Sequence, residues 1–219
     1  MLKLIKNEKL NIDKWNKLHK ASYDLKYPEG HTIRDQKYFK DKKILDYGCG
    51  NGVNFEFFKS LKSKMVGVET SESAIIKCKK KIKNIFHLND LEKLLKFDFD
   101  IIYSNQVLYN YENANLNLLI KFFHKILKKN GILYFTFLNK NSEWYKISKK
   151  VKNSDFRITQ LNTKKYKMKK YINWIDEKKL IKKFQKLFKL VKTGYYGHYL
   201  DKSDIGTNAS YTILVLKKK

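Results

Sequence analysis

The chain has 219 residues and a formal net charge of +27, enough length for one sizeable core and a single domain. Of its 48 basic residues only Arg34 and Arg157 are arginine, so the charge lacks the planar forks that grip phosphate and bases. Lys, Asn, Ile, Tyr and Phe are abundant together, as an A/T-rich coding genome produces, and the excess reads as a solvated lysine surface with weak, salt-sensitive stickiness for polyanions.

No run of about 18 apolar residues occurs, so no membrane span is expected. The opening residues, Met1-Leu2-Lys3-Leu4-Ile5-Lys6-Asn7, are too poor in apolar residues for a signal peptide. Two cysteines, Cys49 and Cys78, fit neither a metal-ligand spacing nor a disulfide framework. A reduced cytoplasmic protein without a metal is the expectation. With one proline, Pro28, and no Gly/Ser-rich stretch, no linker divides the chain.

In chain order, residues 11–39 predict two helical pieces broken near Tyr27-Pro28-Glu29-Gly30. Ile44-Leu45-Asp46-Tyr47 predicts a strand, 51–61 a helix carrying Val53, Phe55, Phe57 and Phe58, and 65–69 a second strand. Residues 71–82 predict a helix capped by Thr70 or Ser71. A short strand at 84–88 and another at 99–104 follow. Residues 116–127 form an amphipathic helix with the apolar stripe Leu116, Leu119, Ile120, Phe123 and Leu127, stopped by Asn130-Gly131. Residues 131–138 are nearly all apolar, as a buried central strand should be. The alternation lapses over 139–171, which is polar and lysine-rich. A helix at 176–188 and strands at 189–193 and 210–216 close the chain.

Strands alternating with helices at this spacing predict an α/β fold: a doubly wound, mostly parallel seven-stranded sheet with helices on both faces and an antiparallel last strand. Residues 1–42 form a helical cap, 43–138 the core, 139–175 a variable insert and 176–219 the closing elements. In such sheets a ligand sits at the carboxyl ends of the strands. Gly48-Cys49-Gly50-Asn51-Gly52 lies just past the carboxyl end of the first strand. The pattern is G-x-G-x-G, with Val53 where the dinucleotide fingerprint has its third glycine. Acids stand at three successive strand ends: Asp46, Glu69 and Asp90. Glu69, about twenty residues past the turn, suits ribose hydroxyls, and Asp90 could accept from an adenine amine. Three carboxylates suit a positively charged ligand without phosphate, since a phosphate prefers helix N-termini free of acids.

Residues 43–138 resemble the core of the class I S-adenosylmethionine-dependent methyltransferases. The resemblance rests on Ile44-Leu45-Asp46-Tyr47-Gly48-Cys49-Gly50-Asn51-Gly52, Val66-Gly67-Val68-Glu69, Asn89-Asp90-Leu91, the run from Phe99 to Leu108, and Leu127-Lys128-Lys129-Asn130-Gly131-Ile132-Leu133. It implies that Gly48, Cys49 and Gly50 pack on the methionine part of the cofactor, with Asp46 near its amino group. It also implies that Glu69 and Thr70 border the ribose, Asp90 and Leu91 the adenine, and Asn105 and Gln106 the sulfonium and the acceptor. Asn130 stands where most relatives have glycine, a position where Asn tolerates a left-handed turn.

Methyl transfer to oxygen needs a base, whereas a neutral amine can do without one. His87, within a strand, and His124, within a helix stripe, read as structural. His19, His31 and His198 are better placed, and His19 and His198 rank first, although each could equally be a packing histidine. Trp15, Tyr23, Tyr27 and Tyr109 are candidates for the acceptor pocket. Ser104-Asn105-Gln106-Val107 lacks the Pro-Pro-aromatic signature of enzymes that methylate exocyclic amines. The lead-in Trp15…His19…Tyr27-Pro28 resembles stand-alone bacterial enzymes acting on small molecules or glycan precursors. O-methylation of such an acceptor, with no specific nucleic-acid partner, is the leading expectation. An RNA or protein methyltransferase and a non-catalytic cofactor-binding subunit are the alternatives.

Overall fold

The computed structural model describes residues 2–20, 26–162, 167–198 and 208–219. Helix α1 (Lys6–Lys20) and the short α2 (Gly30–Arg34) precede strand β1 (Lys43–Tyr47). Then come α3 (Phe55–Ser60), β2 (Lys64–Glu69), α4 (Glu72–Lys79), β3 (Ile85–His87) and β4 (Phe99–Ser104). Next are α5 (Asn113–Ile126), β5 (Leu127–Leu138), α6 (Glu143–Lys146), β6 (Lys149–Lys150), β7 (Phe156–Asn162) and β8 (Lys167–Asn173). Helix α7 (Glu177–Phe184), β9 (Phe188–His198) and β10 (Ala209–Lys218) complete the order. Seven strands form one sheet in the order β3-β2-β1-β4-β5-β10-β9. The first five pair in parallel, and β10 runs antiparallel between β5 and β9. This is the expected doubly wound sheet.

Successive strand residues face opposite sides, so the core divides in two. Leu45, Ile102, Leu133 and Leu214 face one way, onto α5 (Leu116, Leu119, Phe123) and α7 (Leu180, Phe184). Ile44, Tyr103, Tyr134 and Ile213 face the other way, onto Phe39 and Phe58. Each such fully buried side chain contributes about 1.5–3 kcal/mol from leaving water.

Several boundaries differ from the sequence expectation. Helix α3 starts four residues late, because Gly52, at φ +74, continues the turn into Asn54. Helix α5 ends at Ile126, so β5 already includes Lys128-Lys129-Asn130. Asn130 does take the left-handed conformation, at φ +63. It sits in an irregularity where the register jumps from Phe99–Leu127 to Ile101–Ile132. Helix α7 is shorter than expected, and β9 runs on to His198.

The unassigned stretch holds a second, three-stranded antiparallel sheet, β6-β7-β8. Its inward positions include Thr159 and Lys170, a cross-strand pair with buried side chains. Helix α1 docks on this sheet. The Asn11 side chain bonds both backbone groups of Tyr171, accepting from its N–H at 3.1 Å and donating to its carbonyl at 2.8 Å. At the helix's far end Lys77 of α4 donates to the His19 carbonyl at 3.0 Å.

The buried residues of α1 are Glu8, Asn11 and His19, so polar groups hold it down. Glu8 accepts from Ile5 N (3.0 Å), Glu112 N (2.9 Å) and Asn115 Nδ2 (2.6 Å). Glu8→Ala leaves these donors without an acceptor, a cost of about 1–3 kcal/mol. Hydrogen exchange should then speed up by about 10-fold or more across residues 6–20, while β1, β4 and β5 keep their protection.

Candidate cofactor and acceptor site

The turn after β1 is set by backbone geometry. Gly48 N and Cys49 N both donate to the Val68 carbonyl, at 2.8 and 3.0 Å. Gly48 has φ +82, and a Cβ there would lie 2.2 Å from Val107 Cγ2. Only glycine lets the loop after β4 pack so close. At Gly50 (φ +55) a Cβ would meet the His19 ring, with Cε1 at 3.5 Å. The buried His19 of α1 thus covers the open face of the turn. Cys78 Sγ–H donates to the Gly50 carbonyl at 2.9 Å. Cys49 lies buried beside Cys78, and that contact together with burial pushes its thiol well above the usual range, so it packs as a neutral side chain.

Glu69, at the carboxyl end of β2, ties the turn together. Its Oε2 accepts from Gly50 N at 2.8 Å. Its Oε1 accepts from Thr70 N (2.6 Å), Thr70 Oγ1 (3.0 Å) and Ser71 N (3.0 Å). Ser71 in turn caps α4, its Oγ accepting from Ala74 N at 3.4 Å. Beneath the turn, Asp46 is buried and accepts from Asn54 Nδ2 at 3.2 Å. Burial pushes its carboxyl up to about 7, with Glu69 adding to the rise and Asn54 opposing it. The neighbouring carboxyls of Asp46 and Glu69 favour a cation.

Beside Thr70 lies a cleft of about 270 Å³. Leu4, Lys9, Ile12 and Asp13 form its α1 side, and Thr70, His87, Leu88 and Asn89 the opposite side. His87 is structural, as expected: Nδ1 accepts from Asn89 N at 3.1 Å, and Nε2 lies 3.2 Å from the Thr70 carbonyl.

The loop after β4 is the most densely bonded part of the site. Gln106 holds φ +60, a conformation that costs a non-glycine residue about 1–3 kcal/mol. Its N–H donates to Thr136 Oγ1 (2.8 Å), whose hydroxyl donates to Asn105 Oδ1 (2.8 Å). Its Nε2 donates to Glu29 Oε1 (3.1 Å) and Tyr196 Oη (3.3 Å), and its Oε1 accepts from Tyr211 Oη (3.2 Å).

His31 stands beside this loop, 4 % exposed, with its ring 4.3 Å from that of Tyr196. A chain of bonds fixes its tautomer. Lys192 pairs with Asp35 at 2.6 Å, Tyr134 donates its one phenol proton to Asp35 at 2.9 Å, and His31 Nδ1 lies 3.1 Å from the Tyr134 oxygen. Nδ1 therefore carries the hydrogen, and Nε2 keeps a lone pair. Nε2 is buried and has no hydrogen-bond partner. Burial lowers the imidazole to about 4, with Arg34 assisting and Glu29, Asn105 and Asp35 pulling the other way.

A sequence model of a methyltransferase domain matches residues 39–195, most of the chain. The chain belongs to the S-adenosylmethionine-dependent methyltransferases. It is 31 % identical over 134 residues to a ubiquinone biosynthesis O-methyltransferase of Pelagibacter ubique, 55 % of this chain and 55 % of that protein. It is 26 % identical over 106 residues to an uncharacterized methyltransferase of Synechocystis sp., 47 % of this chain and 50 % of that one. The chain thus spans about half the length of these curated relatives. Among solved structures, an S-adenosylmethionine-dependent methyltransferase of Anabaena variabilis superposes with a TM-score of 0.71 at 16 % identity, over 99 % of this chain and 96 % of that one. Magnesium protoporphyrin IX methyltransferase of Synechocystis, solved with the cofactor bound, gives 0.61 at 13 % identity over both full chains. At those identities the superpositions show the fold alone.

The structure brings many of the residues singled out in the sequence together around the glycine turn and places others elsewhere. Asp46, Gly48, Cys49, Gly50, Glu69 and Thr70 converge on the turn, and Asn105 and Gln106 stand just past β4 in the loop whose Val107 packs on Gly48. Asp90 and Leu91 do not line the cleft. At Asp90 (φ −101, ψ 21) a kink turns its carboxylate to Lys93 at 2.9 Å, Leu91 packs against the core, and Leu88 and Asn89 take the wall. Tyr27 is 79 % exposed just before Pro28, which favours an extended backbone there. Tyr23 lies outside the described residues. For His198 the backbone is described, opposite Ala209 at the carboxyl-end side of the sheet. Trp15 and Tyr109 meet through Lys170, whose ammonium lies 4.9 and 4.7 Å from their ring centroids. Glu29, Thr136, Lys170, Tyr196 and Tyr211 carried no sequence signal. No helix among the described residues is long and apolar enough to cross a membrane.

The raised carboxyl of Asp46 has a pH consequence. The native state holds that proton up to about pH 7, while the unfolded chain releases it near 3.8, so its contribution to stability falls as pH rises through that window. The melting temperature of wild type minus that of Asp46→Asn should decline between about pH 5 and 7.

Proposed function

We propose that this chain transfers a methyl group from S-adenosylmethionine to an oxygen of a small-molecule acceptor, with His31 as the base. The observation that carries the reading is the buried, unpartnered Nε2 of His31 beside Asn105 and Gln106.

The residues fit the cofactor. Glu69 takes the ribose hydroxyls on the lone pair of Oε2 that its single amide leaves open. Asp46 and Glu69 together draw a cationic ligand to the glycine turn, and the cleft at Thr70, Leu88 and Asn89 receives the adenine. His19 closes the turn from above as a wall of the cofactor site. Bound there, S-adenosylmethionine supplies a methyl group on a positively charged sulfur. Asn105 and Gln106, locked by Thr136 and Tyr196, border the reacting oxygen and fix its approach. His31 Nε2 accepts the hydroxyl proton as the new carbon–oxygen bond forms. The resulting imidazolium is stabilised through Tyr134 by Asp35, whose own carboxyl Lys192 and Tyr134 hold below the usual range despite burial. Sugars, glycan precursors and ring compounds with a hydroxyl all fall in this acceptor class. The buried free thiols of Cys49 and Cys78 accord with a reducing, cytoplasmic setting.

Labelled S-adenosylmethionine mixed with a size-fractionated, deproteinised cell extract should mark the small-molecule pool; label found in RNA alone would contradict the reading. On the acceptor so found, His31→Gln should lower kcat by about 100-fold or more while leaving S-adenosylhomocysteine affinity unchanged. Because His31 is unprotonated above about pH 4, the wild-type rate should show no histidine titration between about pH 6 and 8.

A further inference from the structure

Lys170 is a lysine where apolar residues belong. It points inward from β8, 4 % exposed, inside three rings: Tyr109, Trp15 and Trp144, with centroids at 4.7, 4.9 and 5.5 Å. Its ammonium donates to Tyr109 Oη at 3.2 Å. No carboxylate pairs with it among the described residues, and the like charge of Lys14 acts against its protonation. Burial, with Lys14 adding, brings it down to about 7. Ring faces attract a cation by about 0.5–2 kcal/mol, yet they accept none of its remaining N–H bonds. A leucine or methionine here would fill the space without desolvating a charge, so the lysine is a cost to the fold. Costs of this kind concentrate where a ligand is handled.

The surroundings say which ligand. From Lys170 a seam of aromatic rings leads to the loop after β4. The Tyr109 and Tyr211 rings lie 6.4 Å apart, Tyr211 stacks on Tyr196 at 4.7 Å and 12°, and Tyr196 touches His31. The seam thus joins a base at one end to a buried cation at the other through rings that pack on one another. We infer that the acceptor is a flat ring bearing a carboxylate, with the carboxylate bound by Lys170 and the reacting hydroxyl held at His31. Lys170 is then a specificity-determining residue. The inference rests on the methyltransferase reading of the same site.

The aromatic box provides its own reporter, since two of the chain's three tryptophans, Trp15 and Trp144, flank the ammonium. The experiment titrates 4-hydroxyphenylacetate and its uncharged isostere 4-hydroxyphenylacetamide against tryptophan fluorescence, with and without S-adenosylhomocysteine. Wild type should bind the acid about 10-fold or more tightly than the amide. Lys170→Met should lose that preference, keep its affinity for S-adenosylhomocysteine, and melt no lower than wild type, because an unpaired buried charge is replaced by an apolar chain. Equal binding of acid and amide, saturable binding of neither, or an acid preference retained in Lys170→Met would overturn the inference. Failure of wild type to bind S-adenosylhomocysteine would instead strike the methyltransferase reading, while the titration without it still decides the anion site.

Discussion

The carboxylate of Glu69 is the interaction on which this site depends. Four donors converge on it: one from the glycine turn, two from Thr70 and one from the residue that caps α4. A charged acceptor strengthens each of these bonds relative to a neutral one. They fasten the turn after β1 to the turn after β2, so the two parallel strands end in one rigid edge. Asp46 is trapped beneath that edge, and Gly50 offers its bare face above it. The proposed cofactor therefore meets a preformed surface, because the ordering cost is met in folding.

The acceptor side is built on a different principle. Beyond β5 the sheet turns antiparallel, which sets Tyr211 of β10 beside β5 and Tyr196 of β9 opposite Tyr211. Both hydroxyls point at Gln106 and Asn105 rather than at water. The left-handed Gln106 is sustained by bonds from four separate elements, and strain held in this way marks a site whose geometry is over-determined. Helix α1 covers the glycine turn with His19 and is held by Glu8 and Asn11, with Ile12 packing on the core.

The parallel half of the fold could be read from the sequence because each strand is a short apolar run bounded by a glycine turn or a capped helix. The Glu69 and glycine-turn part of the site was legible for the same reason: local spacing alone places those residues at strand ends. The acceptor side was not, because its residues are far apart in the chain. Glu29 and Gln106, or Tyr109 and Lys170, meet only through tertiary packing. In β8 the inward position that would betray a strand is itself a lysine, which hides the alternation inside a lysine-rich run. His31 shows the same limit. Its chain position is that of any polar residue before a strand, and only Tyr134 and Asp35, about 100 and 4 residues away, set its tautomer.

We propose the Glu69-clamped turn as the binding edge for S-adenosylmethionine. Calorimetric titration with S-adenosylhomocysteine, comparing wild type with Glu69→Ala, tests it most directly. Wild type should bind one-to-one and the variant about 100-fold or more weakly, with the far-ultraviolet circular dichroism unchanged. Equal affinity in the two proteins, or no binding by wild type, would contradict it.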